Sequence, residues 1–301
     1  MSKEKWTAEN VPSQKGKVVI VTGSSSGIGY EAARVLANKG AEVIIAVRSE
    51  GKGEKAVAKI KDQNADAKVK LMLLDLADLN SVEQFANEFQ AEYSKLDILI
   101  NNAGVMMPPY GKTKDGFELQ IGTNHLGHFA LTGQLFGMLQ KTADSRIVNV
   151  SSIAHTQGNL DFDDLNWENR NYKLMRSYGD SKIANLYFTY ELEARLAEVG
   201  KNPMATAAHP GWTATELQRH SGLASFGNKL FAMPIEQGAL PTLRAATDVQ
   251  AKSGDYYGPD GYREMRGYPV KVKSNKLSHD KDIAKKLWKV SEDLTRIKFN
   301  I

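Results

Sequence analysis

Apolar and polar positions follow two periods along the chain from residue 17 onwards. Short, continuous apolar runs rich in Val and Ile, such as "KVVIVTG" and "AEVIIAV", are typical of strands that are buried on both faces. Between these runs lie stretches such as "YEAARVLANKG" and "SVEQFANEF", whose composition and apolar spacing indicate helices. The same pattern continues through "LDILINNAG", "RIVNVSS" and "MATAAHPG", and "SGDYYGP" is a candidate for the last strand.

Strand and helix alternate about seven times, and this order predicts an α/β fold. We expect a doubly wound parallel sheet of about seven strands with helices on both faces. No linker, repeat or low-complexity tract interrupts the pattern, so a single domain over residues 1–301 is expected. An amphipathic helix that docks on the body is predicted over about residues 280–297. Its apolar positions, at spacings of four and three, are Ile283, Leu287, Val290, Leu294 and Ile297.

Composition narrows the classes of function. Hydrophobic residues make up 42% and charged residues 25% of the 301 residues, as in soluble globular proteins. A dispersed net charge of +4 argues against nucleic acid or an anionic membrane as partner. The chain has no cysteine, which excludes disulfides and thiolate catalysis and favours the reducing cytoplasm. The scattered histidines predict no metal site, and no stretch has the length of a membrane span.

A Gly-rich turn, "TGSSSGIG" at 22–29, lies between the first strand and the first helix. Gly23 permits a tight turn, Gly27 permits a ligand to approach the backbone, and Gly29 permits the helix to pack closely on the sheet. Free amides at the start of the helix would hold a pyrophosphate. The alternative is a Gly/Ser-rich turn that binds nothing.

A second motif, "YGDSK", places Tyr178 and Lys182 four residues apart on one face of a substantially buried helix. A buried Lys is costly unless it has a partner or a task, which favours a functional role. Considered alone, the pair is equally consistent with an ordinary contact on a helix surface.

These motifs occur together with "NNAG" at 101–104, Asn124, "VNVSS" ending at Ser152, and "HPGWTAT" at 209–215. In this order the chain resembles a classical short-chain dehydrogenase/reductase, a Rossmann-fold family that uses nicotinamide cofactors, over roughly residues 15 to 265. The stretch between Ser152 and Tyr178 is about twice as long as is usual in that family. A lengthened loop there is similar to the branch of retinol dehydrogenases and protochlorophyllide reductases.

The resemblance implies four catalytic residues. Tyr178 would be the general acid that protonates a carbonyl oxygen, and the base in the reverse direction. Because a free phenol has a pKa of about 10, Lys182 is expected to lower it and to bind the nicotinamide ribose. Ser152 would hold the substrate oxygen, and Asn124 would anchor a water that relays protons to Lys182. For Asn124 the alternative is a helix-bending residue with a local hydrogen bond.

The resemblance also implies a cofactor site. Its residues would be Gly23, Ser25, Ser26, Gly27, Ile28, Gly29, Arg48, Asp75, Leu76, Asn102, Ala103, Gly104, Tyr178, Lys182, Pro210, Gly211, Thr213 and Thr215. Arg48 follows the second strand, where dinucleotide folds read the adenosine ribose, and a guanidinium there suits a 2′-phosphate. NADP(H) is therefore expected to be preferred over NAD(H). Arg48 as a solvated strand-end charge, and Asn102 as a support of the central strand, are the alternatives.

A lid over the substrate is expected at about residues 213–235. Its apolar residues are Leu217, Leu223, Phe226, Leu230, Phe231 and Met233, and Met106 and Met107 are expected to face the same cleft. This composition favours a bulky apolar aldehyde, ketone or alcohol, although the same residues could simply pack the lid on the body.

The expected activity is that of an NADP(H)-dependent oxidoreductase on carbonyl and alcohol groups. Two alternatives remain: a non-catalytic NADP-binding regulator, and a double-bond reductase of the protochlorophyllide reductase type. Many members of the family form tetramers through the helices that follow the fourth and fifth strands. The lengthened loop could cover that surface, so a monomer or homodimer is expected.

Overall fold

The computed structural model describes residues 5–200, 202–213 and 232–301, and one sheet organises them. The sheet has eight strands in the order β3-β2-β1-β4-β5-β6-β7-β8. The strands are β1 Val18–Thr22, β2 Glu42–Val47, β3 Lys68–Leu73, β4 Ile98–Asn101, β5 Arg146–Val150, β6 Met204–Ala208, β7 Tyr256–Pro259 and β8 Pro269–Lys271. Strands β1 to β7 are parallel, and the predicted α/β doubly wound sheet is confirmed.

The eighth strand was not predicted. Strand β8 is three residues long and pairs antiparallel with β7, as a short hairpin at the edge of the sheet. Three residues are too few to show a period in the sequence, which explains the underestimate of about seven strands.

The helices cover both faces of the sheet. They are α1 Gly27–Asn38, α2 Glu50–Gln63, α3 Leu79–Glu92, α4 Leu119–Ile121, α5 Gly127–Lys141, α6 Leu174–Val199, α7 Ile235–Gly238, α8 Leu240–Thr247 and α9 Lys281–Thr295. A π-helical turn, Gly122–Leu126, joins α4 to α5. One apolar cluster joins α1, α2 and α8 to the sheet, and a second joins α3, α5 and α6 to its other face.

The order of the strands places a crevice beside β1. Strand β1 lies between β2 and β4, so the chain leaves the sheet towards opposite faces after β1 and after β4. In open parallel sheets this switch point, at the carboxyl ends of the strands, is where ligands bind. All five residues of β1 are buried, so the crevice is built on a rigid base.

The C-terminal segment packs on α5 and α6. Phe299 lies 4.9 Å from Phe129 of α5 and 6.0 Å from Phe188 of α6, measured between ring centroids. The buried face of α9 consists of Ala284, Leu287, Trp288, Ser291 and Thr295. It differs from the predicted stripe, because Leu294 is exposed and Trp288 takes the central position.

Candidate active site

The Gly-rich turn forms a cradle at the N-terminus of α1. Gly23 has a φ of 68°, and a Cβ there would lie 2.8 Å from Cα of Ala103. A Cβ on Gly29 would lie 2.4 Å from Nδ2 of Asn102. Both glycines are therefore required by the approach of the loop after β4. Since the first amides of a helix have no partner within it, they are available to an anion in the crevice.

A cavity of about 370 Å³ opens in front of this cradle. Twelve of the residues predicted to bind the cofactor line it: Gly23, Ser25, Ser26, Gly27, Ile28, Gly29, Arg48, Asp75, Leu76, Asn102, Ala103 and Gly104. Its wall also includes Val105, Met106, Pro108 and Thr123 from the loop after β4 and the π-helical turn. The shape suits an extended ligand that crosses the ends of β1, β2 and β4.

Two cations line the cavity beyond the end of β2. Arg48 is exposed there, and Lys52 lies in the first turn of α2. Lys52 was missed by the sequence reasoning, although its position four residues after Arg48 in "RSEGK" was a visible signal. No acid from this stretch lines the cavity beside them.

Asn102 has a clear structural role in addition to lining the cavity. Its side-chain amide donates to the carbonyl of Thr22 at 2.8 Å, and its backbone N–H donates to the Thr22 hydroxyl at 2.9 Å. Asn102 therefore ties the end of β4 to the end of β1, on both sides of the crevice.

Tyr178 and Lys182 lie near the start of α6 with both side chains buried. Nζ of Lys182 donates to the carbonyl of Val150 at 3.1 Å and lies 5.6 Å from the centroid of the Tyr178 ring. A Cβ on Gly104 would lie 3.6 Å from the same Nζ. Because Gly104 lines the cavity, its missing side chain brings the ammonium close to the cavity wall.

Burial governs the ionisation of this pair. It raises the pKa of Tyr178 to about 12, while a hydrogen bond with Ser152 acts in the opposite direction. The expected lowering of the phenol pKa by Lys182 stays a prediction. Burial lowers the pKa of Lys182 to about 8. At neutral pH the phenol is therefore protonated and the ammonium is mostly charged.

The two serines at the end of β5 have different surroundings. The Ser151 hydroxyl is buried and donates to the backbone carbonyl of Lys182 at 2.8 Å, which fastens α6 to β5. Ser152 is half-buried, and its Oγ accepts from the backbone N–H of Ala154 at 3.1 Å. The Ser152 hydroxyl also hydrogen-bonds Tyr178, so a substrate oxygen that accepts from Ser152 would lie beside the phenol.

The backbones of Gly158 and Gly179 lie in close contact, and this contact, called the glycine crossing below, sets the distance between Ser152 and Tyr178. The 3₁₀ turn Ile153–Gln157 after Ser152 lies against α6, where a Cβ on Gly179 would meet the Ala154 carbonyl at 2.8 Å. A Cβ on Gly158 would meet the Gly179 carbonyl at 2.4 Å. Hence the second residue of "YGDSK" is a glycine because the backbone of the Ser152 turn touches the helix there.

Asp180 anchors the start of the lengthened loop. Its Oδ1 accepts from the backbone N–H of Asn159 at 2.8 Å and from Nε of Arg176 at 3.1 Å. Burial of the carboxyl raises the pKa of Asp180 to about 6, partly offset by the Asn159 N–H and the Arg176 charge. The sequence reasoning assigned no role to this residue, although it lies inside the motif.

Asn124 lies in the π-helical turn and is fully buried. Its side-chain amide pairs with the backbone of Val105, accepting from N–H at 2.8 Å and donating to the carbonyl at 3.0 Å. Its Nδ2 also donates to Oγ of Ser181 at 2.9 Å, and its main-chain carbonyl accepts from Nδ1 of His128. These side-chain partners lie 19 and 57 residues away along the chain, so the side chain joins distant segments and does not make a local hydrogen bond. The water relay stays a prediction.

The predicted residues after β6 lie on a loop outside the cavity wall described above. Gly211 has a φ of 65°, and a Cβ there would lie 2.6 Å from the Met265 carbonyl. The Thr213 hydroxyl donates to the carbonyl of Pro210 at 2.9 Å, and Thr213 pairs with Met233 in an isolated bridge. Thr215 and most of the expected lid, including Leu217, Leu223, Phe226, Leu230 and Phe231, fall outside the described residues.

Residues 5–200, 202–213 and 232–301 contain neither a cluster of metal ligands nor a membrane-spanning helix. No group of three or more His, Asp or Glu side chains in these ranges could hold a metal ion. Within the same ranges, no helix combines the length and the apolar character that crossing a bilayer requires.

Comparison with known proteins decides the family. The model of the short chain dehydrogenase family matches residues 17–224, which include the cradle, Ser152, Tyr178 and Lys182.

The chain belongs to the short chain dehydrogenase family.

The proteins that are similar to this chain place it in the retinol dehydrogenase branch of the family. Retinol dehydrogenase 13 of Homo sapiens is 40% identical over 290 residues, which cover 93% of this chain and 84% of that protein. Retinol dehydrogenase 12 of Mus musculus is 43% identical over 289 residues, covering 94% and 88%. A solved but uncharacterised protein of Mycobacterium paratuberculosis is 41% identical with a TM-score of 0.84, covering 99% of this chain and 100% of that chain.

More distant structures share the fold alone. A short chain dehydrogenase of Shigella flexneri, solved with NADP, is 23% identical with a TM-score of 0.64 and covers 82% of this chain and 98% of that chain. Family membership and the retinol dehydrogenase relatives make this protein an oxidoreductase that acts on CH–OH and C=O groups with a nicotinamide cofactor.

Proposed function

We propose that this short chain dehydrogenase uses NADP(H) to interconvert a bulky apolar aldehyde or ketone and its alcohol. The observation that carries the proposal is a chain of contacts: Ser152 hydrogen-bonds Tyr178, and Nζ of Lys182 lies 5.6 Å from the Tyr178 ring centroid. The same Nζ lies next to Gly104 of the cavity wall. The cradle fits the cofactor, since Gly23, Gly27 and Gly29 line the cavity and the first amides of α1 are available to a pyrophosphate there. When bound, the reduced nicotinamide supplies the hydride.

The residues of the chain supply the proton and the orientation. Ser152 donates a hydrogen bond to the substrate carbonyl oxygen and stabilises the charge that develops there. Tyr178, protonated at neutral pH because its pKa is raised to about 12, donates its proton to that oxygen as the alcohol forms. The ammonium of Lys182 stabilises the phenolate that remains. Oxidation of the alcohol runs through the same groups in reverse.

Activity is tested by incubating the protein with NADPH or NADH and a series of aldehydes and ketones. The absorbance of the reduced nicotinamide reports turnover. We expect NADPH to support reduction and long apolar aldehydes to react with higher kcat/KM than short ones. Binding of NADPH without turnover of any carbonyl or alcohol would favour the regulator alternative. Consumption of an enone at its double bond would favour the other enzyme class.

The preference for NADPH rests on Arg48, with Lys52 on the same wall of the cavity. A charge-assisted hydrogen bond is worth about 1.5–3 kcal/mol, or roughly ten- to a hundredfold in affinity. Arg48→Ala should therefore weaken NADPH by about that factor and leave NADH unchanged. Arg296→Ala, which removes an exposed charge at the end of α9, is the matched control. Equal affinities of NADPH and NADH in the parent protein would contradict the preference.

The proposal that the substrate is apolar rests on side chains around the helix α6, which carries Tyr178. Met106 lines the cavity, and Met107 follows it on the same loop. Leu174 and Met175 form the first turn of α6 ahead of Tyr178, and each is 43% exposed. Flexible and aliphatic side chains beside a catalytic group suit large apolar ligands. The names of the relatives agree, because retinol is a bulky apolar alcohol.

We also propose that the protein is a monomer or homodimer. The resemblance implied a tetramer contact through the helices that correspond to α5 and α6, and the lengthened loop before Tyr178 was expected to cover that surface. The packing of Phe299 on Phe129 of α5 and Phe188 of α6 supports the proposal, because the C-terminal segment also covers part of both helices. Sedimentation at micromolar concentration should show no tetramer; a stable tetramer would contradict the proposal. The absence of cysteine supports a cytoplasmic location, which cell fractionation would test.

A further inference from the structure

Two buried amide side chains lie one helical turn apart beneath the active site. Gln120 belongs to α4 and Asn124 to the π-helical turn that follows, so they face the same direction. Both are fully buried. Each touches the loop after β4 on one side and the catalytic helix α6 on the other, and none of the roles described above uses Gln120.

The two amides make the same pattern of hydrogen bonds. Oδ1 of Asn124 accepts from Val105 N–H, and its Nδ2 donates to Ser181 Oγ. Oε1 of Gln120 accepts from the backbone N–H of Met107 at 2.8 Å. Its Nε2 donates to the carbonyl of Leu174 at 3.1 Å and to the hydroxyl of Tyr172 at 2.9 Å.

These hydrogen bonds reach α6 on both sides of Tyr178 along the chain. Leu174 precedes Tyr178 by one turn, and Ser181 follows it by nearly one turn. The segment of α6 that carries Tyr178 is therefore fastened at both ends to a loop that lines the cofactor cavity through Met106 and Pro108. A shift at Gln120 would change the separation between the loop and the phenol.

The loop needs this support at Met107. Its φ of 50° lies in the left-handed region, which residues other than glycine rarely adopt. Such a conformation persists only where the surroundings determine it, and in proteins it is concentrated at ligand sites. The bond from Met107 N–H to Gln120 is the contact that fixes the backbone there.

We propose that Gln120 is a positioning residue that holds Met107 against the first turn of α6 and so selects bulky apolar carbonyl substrates. The inference rests on the proposed function, because it requires a carbonyl that reaches Tyr178 past Met107 and Leu174. An amide is needed at this position, since Met107 presents a donor and Leu174 presents an acceptor. A carboxylate would satisfy the first and repel the second.

The test is Gln120→Met, which keeps an unbranched side chain of similar length and removes all three side-chain hydrogen bonds. A misplacement approaching 1 Å costs up to roughly a hundredfold in rate, so kcat/KM for a long apolar aldehyde should fall at least about tenfold more than for a short one. NADPH affinity should stay within about threefold, because Gln120 does not line the cavity.

The matched control is Asn149→Ala. Asn149 is a buried amide of β5 that accepts from Asn101 Nδ2 at 2.8 Å and donates to Thr189 of α6 at 3.0 Å. It joins the sheet to α6 far beyond Tyr178. Loss of stability should be similar in both variants, but the ratio of kcat/KM between long and short aldehydes should change only in Gln120→Met.

An unchanged ratio in Gln120→Met, with the parent protein active, would overturn this inference and leave the proposed function intact. Inactivity of the parent protein towards all carbonyls would instead remove the proposed function. If Gln120→Met does not fold, Met107→Ala decides the matter, because it removes the side chain that Gln120 positions. It should lower kcat/KM for the long aldehyde about tenfold more than for the short one, and equal effects on both would overturn the inference.

Discussion

Gly179 is the position where one added methyl group should disturb both stability and catalysis. In Gly179→Ala the new Cβ would lie 2.8 Å from the Ala154 carbonyl and 3.0 Å from the backbone nitrogen of Gly158. Both neighbours are backbone atoms, so no side chain can rotate away. The Ser152 turn would have to retreat from α6 by roughly half an ångström to restore ordinary van der Waals contact.

Two effects of opposite sign set the change in the free energy of unfolding of Gly179→Ala. Replacing a helical glycine by alanine stabilises a helix by about 0.5–1 kcal/mol. Overpacking a tight contact costs about 1–3 kcal/mol, so the net destabilisation of Gly179→Ala should lie between about 0 and 2.5 kcal/mol, with about 1 kcal/mol at the middle of both ranges. Because a misplacement of 1 Å costs up to roughly a hundredfold in rate, half that displacement between Ser152 and Tyr178 should lower kcat roughly tenfold.

Gly137→Ala provides the control. Gly137 lies within α5, and nothing lies within 4 Å of the position of its Cβ. This variant should gain about 0.5–1 kcal/mol and keep kcat. Urea unfolding and steady-state kinetics measure both variants side by side. If Gly179→Ala were as stable and as active as Gly137→Ala, the glycine crossing would not set the geometry of the site.

Stability should fall in acid, because burial lowers the pKa of His125 to about 3 and of His128 to about 4, from 6.5. Both side chains are neutral in the folded protein. Their contribution to the free energy of unfolding is therefore fully present above pH 6.5, and it falls towards pH 4 by roughly 1.4 kcal/mol per pH unit for each histidine. Asp180, with its pKa raised to about 6, opposes this fall between pH 3.8 and 6. His125→Leu should reduce the slope of the unfolding free energy against pH by the contribution of one histidine. An unchanged slope in urea unfolding would contradict the assignment. Separately, Phe299→Ala should cost about 2–3 kcal/mol in the same assay, because it removes a half-buried ring from the aromatic cluster over α5 and α6; a loss below about 0.5 kcal/mol would show that the C-terminal residues do not hold that surface.

The parts of the site that lie within one short segment could be predicted from the sequence. The cradle is one turn between a strand and a helix, and Arg48 follows a strand, so local pattern was enough to place them. The glycine crossing was not predictable, because Gly158 and Gly179 meet across the lengthened loop. Gln120 was missed for the same reason: its partners Met107 and Leu174 lie far from it along the chain.

Burial is the second quantity that the sequence did not supply. The pKa of Tyr178 is raised because the folded chain removes water from the phenol, and the degree of that burial is set by contacts that the sequence motif does not contain. In α9 the spacing of apolar residues predicted the helix but not its buried face. Trp288 faces α5 and α6 there, while Leu294 of the predicted stripe is exposed.

The central claim is that Tyr178 donates the proton, and single-turnover reduction of an apolar aldehyde by Tyr178→Phe tests it most directly. The substitution keeps the ring and its packing and removes the hydroxyl. General acid catalysis contributes about 10²–10⁴-fold, so the rate of NADPH oxidation should fall at least about a hundredfold while NADPH affinity is unchanged. A rate within about threefold of the parent protein, with the chemical step limiting, would contradict the assignment of Tyr178.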